Sequence, residues 1–186
     1  EGAEDNAQQG ADDLKAIGFC EKDIFVGLAA SGRTPYVLGA LAYAHACGAR
    51  TVAVTCCPGS ELDRSADIGI AVEVGPEVVT GSTRMKSGTA QKMVLNMLST
   101  GAMIRLGKVY GNLMVDVKPS NQKLQRRAVS IVATAADVNE DTARCALEQC
   151  DYEAKTAIVM LARKIPAPQA RELLMQANGR IAQVLC

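Results

Sequence analysis

Apolar and polar positions along the chain change period several times. Ile24, Phe25, Val26 and Leu28 form a short apolar run bounded by turn residues. Residues 51–55 (TVAVT) and 68–72 (IGIAV) form two more. Short runs of this kind predict strands covered on both faces. Between the first two runs, Tyr36, Leu38, Leu41 and Tyr43 recur at helical spacing as far as about Cys47. Pro35 suits the first turn of that helix, and Gly48 suits its end. Residues 11–17 predict a helix ahead of the first strand, and residues 61–66 a short helical turn ahead of the third. Strand, helix, strand, helix, strand predicts an α/β fold with a parallel sheet. A long helix follows from about Met85 to Arg105. Its apolar positions are Met93, Val94, Met97, Leu98, Met103 and Ile104, with Leu106 just beyond, on a broad face. Residues 108–117 read as a short strand or an extended segment. Beyond Pro119 and Ser120 the pattern is wholly helical, with segments at about 121–135, 139–150, 152–162 and 167–178. This predicts two parts, residues 1–118 around the sheet and residues 119–186 as a small helical domain.

Composition narrows the core and the partners. The chain has 186 residues, enough for one domain and a small appendage. Two Phe, four Tyr and no Trp leave Ala, Val, Leu, Ile and Met to fill the interior. The net charge of zero gives no support to nucleic acid or an anionic membrane as partner. The helical part carries nine Lys or Arg against seven Asp or Glu, which fits packing or oligomer contact better than DNA binding. No apolar run reaches transmembrane length, and no signal-peptide pattern is present. The seven Cys are odd in number, form no C-x-x-C, and accompany a single His, so metal binding is not expected. They read as small apolar residues in a reducing cytoplasm.

Two polar turns carry the candidate chemistry. The first, AASGRTP, follows the first strand and opens a helix. Main-chain N–H groups at a helix start favour an anion. Ser31, Gly32, Arg33 and Thr34 would add hydroxyl donors, a tight turn and a planar guanidinium. The glycine spacing fits neither a Walker A loop nor G-x-G-x-x-G. An ordinary βα turn capped by Ser and Thr fits the same spacing, which does not separate the two readings. The second turn, GPEVVTGSTRMKS, opens the long helix. Ser82 and Thr83 can cap that helix, while Arg84 and Lys86 place cations beside a positive helix end. A bound anion would resolve that conflict, so would the carboxylate of Glu77, and both cations could instead reach into solvent; the like chemistry at residues 31–34 speaks for the anion. Glu4, taken by itself, is a solvated carboxylate.

Residues 75–124, GPEVVTGSTRMKSGTAQKMVLNMLSTGAMIRLGKVYGNLMVDVKPSNQKL, closely resemble the signature of N-acetylmuramic acid 6-phosphate etherases. EGAEDN and AASGRTPYV resemble that family's segments in the same order. The wider relatives are sugar isomerase (SIS) domains and the glucokinase regulatory protein. The resemblance implies a SIS-type parallel sheet flanked by helices, a three-layer sandwich, followed by a small all-helical part. It implies a lyase: the C2 proton is removed, D-lactate leaves C3, and water adds back to give N-acetylglucosamine 6-phosphate. It implies no metal, no organic cofactor, a cytoplasmic role in recycling cell-wall sugars, and homodimers with sites near the subunit boundary. The second Glu of EGAED, Glu4, matches the family's proton-abstracting carboxylate. The proton donor belongs to a family segment preceding the part matched by Glu1, so the chain is expected to correspond to the C-terminal portion. Ser31, Arg33 and Thr34 match a phosphate loop, and Ser82, Thr83 and Lys86 match the signature loop. Lys86 could instead pack, or hold Glu4 or Glu77 ionised. A phosphosugar sensor without chemistry, or a phosphosugar isomerase, would use the same fold.

Overall fold

The computed structural model describes residues 2–117 and 119–185. They fall into two compact units, Glu1–Met97 and Leu98–Cys186. The division at 118/119 expected from the sequence touches residue 118, which lies outside the described residues.

In the first unit, β1 (Ile24–Leu28), β2 (Arg50–Thr55) and β3 (Ile68–Ala71) form a parallel sheet in that order. The register pairs Val26 with Val52 and Val52 with Ile68. Helix α2 (Pro35–Ala46) links the first two strands and α3 (Glu61–Ser65) the next two. One sheet face, carrying Phe25 and Ala53, packs with Val37, Leu38, Leu41 and Leu62 of those helices. Ala53 and Leu62 are fully buried there. Small residues let the layers approach: a Cβ on Gly27 would meet the Phe25 ring and Val37 at 2.8 Å. The opposite face deepens toward the strand ends, from Ile24 at 65 % and Ile68 at 57 % exposed to Val54 at 0 %.

Helix α1 (Ala7–Ala16) begins at Asn6, whose side chain accepts from the Gln9 N–H. It starts four residues earlier than the apolar pattern predicts, because an Asn cap extends a helix over polar residues. Gly10 and Gly39 let α1 and α2 meet backbone to backbone. A Cβ at Gly10 would lie 2.0 Å from the Tyr36 carbonyl oxygen, and one at Gly39 only 1.9 Å from that of Ala7. The Tyr36 hydroxyl donates to Asp13 Oδ2 across the pair at 2.7 Å.

Helix α4 (Lys86–Arg105) leads from the first unit into the second. Of its predicted apolar positions only Val94 is buried. Met93, Leu95, Met97, Leu98, Met103 and Ile104 are all at least 40 % exposed. The segment read as a strand or extended piece is a tight hairpin, β4 (Val109–Tyr110) and β5 (Leu113–Met114). Gly111, at φ +58°, supplies the left-handed turn residue that a two-residue hairpin loop requires. Helices α5 (Gln122–Ala136), α6 (Glu140–Glu148), α7 (Ala154–Arg163), α8 (Ala167–Gln176) and α9 (Ile181–Leu185) complete the second unit. Asn121 and Asn139 cap α5 and α6. The last helix escapes the sequence pattern because five residues are too few to show a period. Val132, Leu147, Ile158 and Ile181 form the core of this unit, each at most 2 % exposed.

Candidate functional site

The carboxyl ends of parallel strands are where ligands settle in sheets of this kind. Three main-chain hydrogen bonds build the floor at that end. Ala29 N–H donates to Val54 O, Cys56 N–H to Ala30 O, and Val72 N–H to Thr55 O, at 3.1, 2.9 and 2.9 Å. The turn at 31–34 stands on this floor. Gly32 is buried, adopts φ +65°, and has no room for a side chain, since a Cβ there would meet Ser60 at 2.0 Å. Its carbonyl accepts from Leu62 N–H at 3.0 Å, which ties the turn to the start of α3. Ser31 and Arg33 are exposed and Thr34 is half-buried. Ser31 Oγ accepts from the Arg33 N–H at 3.3 Å, a local turn contact. Thr34 is the N-cap of α2 without a side-chain cap bond, so its hydroxyl is not spent on the helix.

Glu4 lies beside this turn. Its carbonyl oxygen accepts from the Tyr36 N–H at 3.0 Å. Pro35 has no N–H, so Tyr36 is the first residue of α2 with a donor to offer. Glu4 is thereby fastened to the helix that begins immediately after Thr34, and its side chain is exposed. Nothing in the local sequence of EGAED signals this contact, because it depends on the close α1–α2 approach. The same bond narrows the expected supply of free helix-start donors, since one is taken by protein. Among the described residues, the Ser31 and Thr34 N–H groups carry no hydrogen bond.

The second turn meets the same floor. Cys56 Sγ lies 4.0 Å from the Ser87 carbonyl oxygen, while Cys56 N–H is bonded to Ala30. The start of α4 and Ala30, the residue ahead of the 31–34 turn, therefore share one neighbour at the strand ends. At this helix start the sequence left open a bound anion or Glu77, and Glu77 takes the place. Its carboxylate accepts from the Lys86 N–H through both oxygens and from the Ser87 N–H, all at 3.1 Å. The Ser87 N–H first, then that of Lys86, hold the Glu77 carboxyl below its ordinary value. Lys86 Nζ donates to the Pro76 carbonyl at 2.9 Å, so its ammonium pins the loop that presents Glu77. Ser82 is half-buried and Thr83 exposed. Among the described residues, neither hydroxyl caps the helix; the Thr83 carbonyl accepts from Gly88 N–H instead. Sequence reasoning named Glu77 as one of two solutions, and only the fold of residues 75–87 chooses between them.

Comparison with known proteins adds a second line. The SIS-domain family profile matches residues 18–101, and the profile of the C-terminal lid domain of glucokinase regulatory protein matches residues 111–158. An N-acetylmuramic acid 6-phosphate etherase from Aeromonas hydrophila is 58 % identical across 98 % of this chain and 61 % of its own length. The chain carries a SIS domain over residues 18–101 and is similar to this etherase along nearly its whole length. Etherases from Photorhabdus laumondii and Klebsiella aerogenes are 57 % and 56 % identical, over 97 % and 100 % of this chain and 60 % and 62 % of their own lengths. The chain thus spans about three-fifths of the length of these relatives. The parallel sheet flanked by helices agrees with the SIS match, and helices α5 and α6 fall within the lid-domain match. Among the described residues, no helix is long and apolar enough to cross a membrane.

Proposed function

We propose that the protein carrying this chain cleaves the D-lactyl ether of N-acetylmuramic acid 6-phosphate, giving N-acetylglucosamine 6-phosphate and D-lactate. The observation that carries the reading is the tie between Glu4 and the start of α2. It sets a carboxylate-bearing segment directly against a turn whose Ser31 and Thr34 N–H groups, with the Arg33 guanidinium, suit a phosphate monoester. In this reading the turn holds the phosphate and Ser82, Thr83 and Lys86 line the sugar side. Glu4 removes the proton on C2 of the open-chain sugar, next to the carbonyl. The electron pair forms the C2–C3 double bond, and the C3–O bond breaks as lactate leaves with a proton from a second acid. Water then adds across that bond, its oxygen to C3 and a proton to C2. General base catalysis of this kind contributes on the order of a hundredfold to ten-thousandfold in rate.

The protein acts, on this proposal, as a cytoplasmic homodimer, with residues 119–186 as a distinct helical domain. The exposed apolar side chains along α4 support association, since a large exposed apolar patch commonly marks a protein–protein contact. A sensor or isomerase has no corresponding support in the relatives' names.

The test is release of D-lactate from N-acetylmuramic acid 6-phosphate by the full-length protein. Glu4→Gln should lower turnover at least a hundredfold while the affinity for N-acetylglucosamine 6-phosphate stays within about twofold. No lactate from the wild-type protein would refute the activity. Wild-type turnover in the variant would remove Glu4 from the reaction.

A further inference from the structure

The Ser60 hydroxyl stands out at the same strand ends. Among the described residues, its Oγ is a buried side-chain oxygen that lacks a hydrogen-bond partner. Folded proteins pair nearly all such groups, so an exception calls for a physical account. Ser60 occupies the N-cap position of α3, where serine usually bonds to an N–H of its own helix. Here it makes no such bond. The hydroxyl is instead turned onto Gly32, within 2.0 Å of where a Cβ at that residue would be. It therefore lies directly beneath the turn assigned to the phosphate. The residue as a whole is only half-buried, so the hydroxyl lies close under the surface of the turn. No hydrogen bond to protein holds the hydroxyl where it is.

We propose that Ser60 is a further binding residue of the phosphosugar site, its hydroxyl left without a protein partner because a phosphate oxygen of the ligand is that partner. The inference rests on the phosphosugar reading of the 31–34 turn. The chemistry is complementary: a hydroxyl donates one hydrogen bond, and a phosphate monoester offers oxygens that only accept. Gly32 permits the arrangement because any larger residue would fill the space the hydroxyl now uses. In the free protein the unpaired hydroxyl is a cost to stability.

That cost makes the proposal separable from simple packing. N-acetylglucosamine 6-phosphate is titrated into full-length wild-type protein and Ser60→Ala, with unphosphorylated N-acetylglucosamine and inorganic phosphate as further probes. Thermal unfolding of both proteins is recorded without ligand. Ser60→Ala should bind the phosphosugar about tenfold more weakly, the loss expected for one hydrogen bond to a charged group. Inorganic phosphate should weaken in parallel, the unphosphorylated sugar should not change, and the free variant should melt no lower than wild type. Equal affinities for the phosphosugar overturn the proposal. So does a variant that loses affinity and melting temperature together, because that is the behaviour of a packing residue. A wild-type protein that fails to bind the phosphosugar refutes the site reading itself, and this proposal with it.

Discussion

At the scale of single residues, the most densely bonded polar group sits at the opposite end of the strands from the candidate site. Thr51 is fully buried at the start of β2. Its N–H and Oγ1 donate to Asp67 Oδ2 at 2.8 and 3.0 Å, and Asp67 N–H donates back to Oγ1 at 3.0 Å. His45 Nε2 lies 2.8 Å from the same hydroxyl. With the hydroxyl proton given to Asp67, His45 must be the donor there, which places a proton on Nε2. The Thr51 main-chain N–H, then its hydroxyl, hold Asp67 below the ordinary aspartate value of 3.8, with Arg50 and His45 adding charge. A depressed carboxyl stabilises the fold above its unfolded value, and that contribution fades as pH falls through the folded value. Urea midpoints of wild type and Asp67→Asn should therefore differ most at pH 6–7 and converge below about pH 4. A gap that persists at low pH would show that the charge is not the stabilising feature. Asp67 was invisible as a structural residue in the sequence, because its partner lies sixteen positions away across a sheet register. The 31–34 turn was legible, since Ser-Gly-Arg-Thr-Pro signals a tight turn and a helix start locally.

At the scale of elements, strand and helix positions followed from periodicity and from Pro35 and Gly48, whose backbone effects act within one or two residues. The relation between elements did not. Helices α1 and α2 touch through Gly10 and Gly39, and no apolar pattern marks such a contact, because it depends on missing side chains. Yet this contact brings the Glu4 carbonyl to Tyr36 N–H. Gly39→Ala should force α1 away from α2, at a cost of roughly 1–3 kcal/mol from overpacking. The Tyr36 amide should lose hydrogen-exchange protection, and lactate release should fall further than the loss of folded protein explains. Retained protection and turnover would show that α1 can shift without disturbing the site. Helix α4 repeats the point in reverse. Its apolar residues were plain in the sequence, but their exposure belongs to the assembled fold.

At the scale of the whole chain, two cores of different character coexist. The sheet unit closes over Ala53, Leu41 and Leu62, while the helical unit has a larger cluster around Leu147, Ile158 and Val159. The order, α/β and then mainly helical, was readable from strand runs and helical spacing, whereas the observed division between Met97 and Leu98 lies inside α4, where the periodicity does not break. Ile158 is fully buried, so Ile158→Ala should cost about 2–5 kcal/mol. Amide exchange should then rise in α5 to α8 while Ala53 and Val54 in the sheet keep their protection. Equal losses in both units would show that they unfold as one.

The glycine contact between α1 and α2 also bears on how such chains are compared. An inventory of chemically active side chains would find Glu4, Ser31 and Thr34 unchanged in a Gly39→Ala protein and pronounce it competent. On the proposed reading the competence depends on a gap of one methyl group, five residues downstream of Thr34, and it would be lost without altering any of those three side chains.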